Sequence, residues 1–178
     1  NQNAGVELNH NGEVQTDMQD LRNSLLDTRS VETVNGEYVV TSEHRPVRVR
    51  LGTQYPSRLI ALNPPPPSGT IETIEPSAPL RIENARVSGG EYESDPDVLL
   101  ESDLETAFIS YRPSYTEYRD PPETVLEHSL LYNEFDDAEV RVRRQSMIQP
   151  ATNRLNVILF EGDVSASGAQ AVTLDPVT

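Results

Sequence analysis

The stretch RPVRVRLGTQYPSRLIALNPPPPSGTIETI, Arg45 to Ile74, decides the fold class. Val47, Val49 and Leu51 alternate with Arg48 and Arg50, the period-two signature of a half-buried strand. Two further short apolar runs, Arg58–Leu62 and Thr70–Ile74, follow, separated by the Pro64–Pro67 run and Ser68-Gly69. Four consecutive prolines form a rigid polyproline II segment, here read as a stiff connection between two strands. Runs of this length with this punctuation are strands, because no stretch between breakers is long enough for a helix.

The same pattern continues to the C-terminus. Strands are predicted at Tyr38–Ser42, Leu80–Val87, Ala107–Tyr111, Val125–Leu131, Glu139–Val142, Leu155–Phe160 and Ala171–Leu174. Asn35-Gly36, Ser88-Gly89-Gly90, Pro121-Pro122 and Ser167-Gly168 mark the turns. Val125–Leu131 is also compatible with a helical turn, and strand is preferred. Repeated short strands without a second helix predict an antiparallel β-sandwich-like domain over residues 31–178.

Residues 1–30 differ. Val14, Met18, Leu21 and Leu25 step by four, three and four, one stripe of an amphipathic helix running from an Asn11 cap to Asp27. Residues 1–10 are a candidate continuation toward the N-terminus. The stripe serves either as a seam packed on the β domain or as the contact face of a stalk joined to neighbouring helices. A mainly β domain preceded by an N-terminal amphipathic helix or stalk is the predicted architecture.

Composition excludes several functions. The 178 residues carry 29 Asp and Glu against 14 basic residues, a net charge of -15, and every basic residue is Arg. Such a balance disfavours nucleic acid, whose binding rests on cations that neutralise phosphate. No apolar run approaches the roughly 18 residues that cross a bilayer. Without cysteine there is no disulfide, thiol nucleophile or cysteine-ligated metal. Abundant carboxylates and no Lys are the signature of a protein adapted to saturated salt. At about 1 M salt the Debye length of about 3 Å removes most self-repulsion, while hydrated carboxylates keep the surface soluble.

No catalytic residue can be named. His10, His44 and His128 stand in no zinc spacing, and neither a nucleophile elbow nor a phosphate-binding glycine pattern occurs. No cofactor is expected. Asp95, Asp97, Glu101, Asp103 and Glu105, in the acidic stretch Gly90–Glu105, could gather around a hard cation, as could Asp136, Asp137 and Glu139. Neither group has the EF-hand order, and the plainer expectation is a solvated acidic face. Alternation also places Arg45, Arg48 and Arg50, and likewise Arg141, Arg143 and Arg144, on outer faces with the valines inward. There they pair with carboxylates of the same sheet or grip a neighbouring subunit.

Three segments, MQDLRNSLL (Met18–Leu26), RVRLGTQYPSRLIALNPPPPSGTI (Arg48–Ile71) and YRPSYTEYRDPPETVLEHSLLYNEF (Tyr111–Phe135), carry a family likeness. In them the chain resembles uncharacterised haloarchaeal surface proteins, over about Val14 to Pro176. The resemblance implies a pilin-like hydrophobic leader upstream of residue 1, a following helix and a β-rich extracellular domain. It transfers no site residue. Residues 1–178 depart from it in carrying no N-x-Ser/Thr sequon. The expectation is a non-enzymatic structural or interaction protein of a haloarchaeal cell envelope, extracellular or on the cell surface. Its expected partners are other protein subunits, in a homo-oligomer or filament, with a membrane anchor upstream. Alternatives are a secreted glycan- or cation-binding module and a structural protein of a haloarchaeal virus. A hydrolase is the weakest reading.

Overall fold

A computed structural model of the chain describes residues 2–27, 30–32, 38–40, 45–56, 64–76, 106–149, 151, 154–155 and 162–176. The strands expected at Arg58–Leu62 and Leu80–Val87, the strand expected at Leu155–Phe160 beyond its first residue, and the acidic stretch Gly90–Glu105 lie outside them. Among the described residues one helix, α1 (Gln2–Asp27), precedes twelve strands. These are β1 (Ser30–Glu32), β2 (Tyr38–Val40), β3 (Val47–Arg50), β4 (Ser68–Ile74), β5 (Phe108–Ser114) and β6 (Glu123–Glu127). Then come β7 (Leu130–Glu134), β8 (Glu139–Arg143), β9 (Ile148–Gln149), β10 (Arg154–Leu155), β11 (Ser165–Gly168) and β12 (Ala171–Leu174).

The sheets are antiparallel throughout. A six-stranded sheet has the order β11-β4-β5-β6-β7-β8, and β12 pairs with β3 in a second, two-stranded sheet. The short pairs β1-β2 and β9-β10 stand apart. The protein is therefore mainly β with a helix before it. Helix and sheets share one core: Val14, Met18 and Leu21 are buried with Val47, Val49 and Leu51 of the β3 segment and Ile71, Ile109, Tyr111, Leu126 and Leu131 of the large sheet. Leu25 packs half-buried on this cluster. The stripe read from the sequence is thus an internal seam.

Ser167-Gly168, a turn in the sequence reading, lies inside strand β11, and three further local features depart from that reading. Helix α1 starts at Gln2, so the candidate continuation through the first ten residues is helical, and Asn11 is a buried interior residue instead of a cap. The first turns present Glu7, His10 and Asn11 inward, and polar side chains leave no trace in an apolar pattern. Second, Val125–Leu131 is not one strand but the hairpin β6–β7, turning at His128-Ser129. His128 takes a φ of 52°, which hairpin turns usually assign to Gly or Asn. A His-Ser turn between Leu126 and Leu131, both fully buried, carries no punctuation to read.

The third is a β-bulge. Leu131 pairs with Arg143 but Tyr132 with Arg141, so Val142 is the extra residue in β8. Alternation breaks there. Arg141 neighbours Tyr132, while Arg143 neighbours core-facing Leu131 and donates to Gln19 Oε1 on α1 at 3.1 and 2.6 Å. The arginines of this strand do not share one face.

Candidate functional site: the polar helix–sheet junction

The N-terminal half of α1 docks through polar groups. Glu7 is fully buried, and its carboxylate accepts the Tyr55 hydroxyl and the backbone N–H groups of Thr116, Glu117 and Tyr118, the first two at 2.9 Å. Those three successive N–H groups belong to the loop after β5 and form a concave nest of the kind that receives an anion. Burial pushes the Glu7 carboxyl up, but the Tyr55 hydroxyl and the three backbone donors outweigh it and hold the group below its ordinary value of 4.5. Tyr55, buried and donating to a carboxylate, is pushed up to about 12.

One turn on, His10 bridges the two sheets. Its Nε2 lies 3.1 Å from the Arg50 carbonyl and its Nδ1 2.7 Å from the Tyr115 hydroxyl. A carbonyl only accepts, so Nε2 carries the hydrogen, and in the neutral ring Nδ1 accepts from Tyr115. Burial lowers the His10 pKa from 6.5 against the Arg50 carbonyl and nearby Glu13, which favour the cation. Tyr115 also stacks on Tyr118 and is pushed far up by burial. Tyr111, fully buried, donates to the Leu51 carbonyl at 2.9 Å.

Further along the helix, Asp17 accepts the Arg50 backbone N–H and guanidinium, and Glu13 adds a 3.3 Å ion pair to the same arginine. Ser24 donates to the Arg45 carbonyl at 2.7 Å, and Arg22 Nε donates to the Ser129 carbonyl at 2.6 Å. Arg22 Nη2 adds the Arg144 carbonyl and the Ser146 hydroxyl, locking the β6–β7 turn to the helix. Arg50 therefore pairs with the helix, where the sequence suggested partners in its own sheet.

These groups share the geometry of a clasp. Both carboxylate oxygens of Glu7 and both ring nitrogens of His10 are engaged, so these polar groups fix the helix on the sheets. An open hollow of about 510 Å³ lies at the other end of α1, lined by Asp20, Asn23, Ser24, Leu26, Asp27, Arg45 and Val47. Of the residues singled out in the sequence, Val14, Met18 and Leu21 come together in the core with Leu25 beside them. Asp95, Asp97, Glu101, Asp103 and Glu105 lie outside the described residues, as does His44. Asp136, Asp137 and Glu139 are exposed, and among the described residues no three metal-ligating side chains converge. Among them, too, no helix is long and apolar enough to cross a membrane.

No protein family, curated protein or solved structure matches the chain.

Proposed function

We propose that the chain is a non-enzymatic structural or interaction protein of a haloarchaeal cell envelope, with its β domain facing brine. The observation that carries this reading is the charge inventory of 29 carboxylates, 14 arginines and no lysine. Use of the arginines supports it. Arg112 spans two carboxylates of the large sheet, Nε to Glu123 at 3.2 Å and Nη1 to Glu72 at 3.5 Å. Arg50 does the same between Asp17 and Glu13 on the helix. A planar fork of five donors holds such bridges in a fixed geometry, whereas a lysine ammonium acts as a point charge. Subunit contacts of such a protein fall on its sheets, because the helix seam is already spent inside the fold.

Fractionation of the producing cells with an antibody against this chain tests the reading. The antigen is expected in the envelope fraction and accessible to protease on intact cells. Antigen confined to the cytosol would overturn the proposal.

A further inference from the structure

Among the described residues, β8 is an outer edge of the six-stranded sheet. The run DDAEVRVRR, Asp136 to Arg144, has a symmetry that the fold leaves unused. About Val140, Glu139 mirrors Arg141, Ala138 mirrors Val142, Asp137 mirrors Arg143 and Asp136 mirrors Arg144. Each acid is answered by a base at the same distance from the centre. Asp136, Asp137, Glu139, Arg141 and Arg144 are exposed, and Val140 is 51% exposed in the middle of them. Inside the sheet Glu139 stands opposite Glu134 and Arg141 opposite Tyr132, so neither charge is answered there.

We propose that β8 is a self-association edge, pairing antiparallel with β8 of a second copy about a two-fold axis through Val140. Such a contact is isologous and joins two six-stranded sheets into one. Glu139 of each copy faces Arg141 of the other on the Tyr132 side of the sheet, and Val140 meets its own counterpart. The acidic turn Asp136-Asp137 lies beside the second copy's Arg143-Arg144 segment. The bulge has turned Arg143 toward Gln19, so Glu139, Val140 and Arg141 define the register. Neighbouring registers fail. Centring on Arg141 sets arginine against arginine, and centring on Glu139 sets glutamate against glutamate. Edges that resist pairing carry charges that repel a copy laid alongside; this one carries charges that attract it in a single alignment. The proposal is independent of where the protein resides.

Sedimentation velocity of the full chain in about 1 M KCl, where repulsion between two acidic molecules is screened, tests it. The chain is expected to sediment as a dimer. Glu139→Arg alone sets arginines against arginines and Arg141→Glu alone sets glutamates against glutamates. Each weakens dimerisation by roughly tenfold or more, since two symmetry-related pairs change sign together. The two single variants mixed in equal amounts re-form complementary pairs and give a heterodimer, as the double swap gives a homodimer. Circular dichroism of each variant confirms folding. A monomeric wild type, a dimer indifferent to the single swaps, or folded single variants that fail to pair when mixed would overturn the proposal.

Discussion

Asp17 and Arg50 are joined through both backbone and side chain. Asp17 Oδ2 accepts the Arg50 N–H at 3.0 Å and Nε at 2.9 Å, while Oδ1 accepts Nη2 at 2.6 Å. The carboxylate thereby ends strand β3 and holds the helix against it. Replacing Asp17 by Ala leaves the backbone donor without its partner and is expected to cost about 2 kcal/mol in urea unfolding. Arg50→Lys keeps the charge but loses the fork, and is expected to cost about 1 kcal/mol. Equal stability of all three proteins would remove the clasp from the account.

Glu7→Gln is the sharpest test of the anion nest. The amide would turn an NH₂ toward a site built only of donors, with an expected loss of about 2 kcal/mol or more. Amide exchange at Thr116, Glu117 and Tyr118 should quicken with it, because those N–H groups bond the lost carboxylate oxygens. Unchanged exchange in that loop would contradict the assignment.

The same groups set a pH profile. His10 and Glu7 have folded pKa values below 6.5 and 4.5, so the unfolded chain binds more protons as acid is added. Stability from His10 is whole above pH 6.5 and is lost as the pH falls below it; that from Glu7 follows below 4.5. On the alkaline side, Tyr55 contributes fully below pH 10 and its share is lost as the pH rises toward about 12. Urea midpoints measured across this range should show the three losses. His10→Gln should abolish the first acidic loss and leave the second.

Packing gives a further expectation. A Cβ on Gly69 would stand 2.3 Å from the Tyr111 hydroxyl and 2.5 Å from its ring, in the closed centre of the core. Gly69→Ala is therefore expected to cost about 1–3 kcal/mol, since the buried ring has to move. Leu21→Asp buries a charge without a partner and should cost more, about 3 kcal/mol or above, while leaving sedimentation of the molecules that do fold unchanged. Loss of assembly without loss of stability would place the seam between molecules instead.

Much of the strand plan was legible because the valines of β3 alternate with its arginines, while β4 and β12 are short runs rich in β-branched residues bounded by turn residues. Ala171–Leu174 has the same bounds in sequence and structure. The apolar part of the helix was equally visible. What stayed hidden follows from chemistry that periodicity does not register. Glu7, His10 and Asn11 hold inward positions of α1 that read as a polar surface until the distant partners of Glu7 and His10, the Thr116–Tyr118 amides, Tyr115 and the Arg50 carbonyl, are known. The His128-Ser129 turn uses a left-handed histidine in place of glycine. The bulge at Val142 leaves the letters of β8 perfectly alternating while reversing where Arg143 points. The clasp itself joins residues about 100 positions apart, such as Glu7 and Thr116, and no local pattern encodes that.

Native-state hydrogen exchange at increasing urea tests the central claim, that helix and sheets are one cooperative unit closed by buried polar contacts. Amides of α1 between Asn11 and Ser24 are expected to open with the same free energy as those of β4 to β7. A helix that opens well before the sheets, with their protection intact, would contradict it and return α1 to the role of an independent stalk.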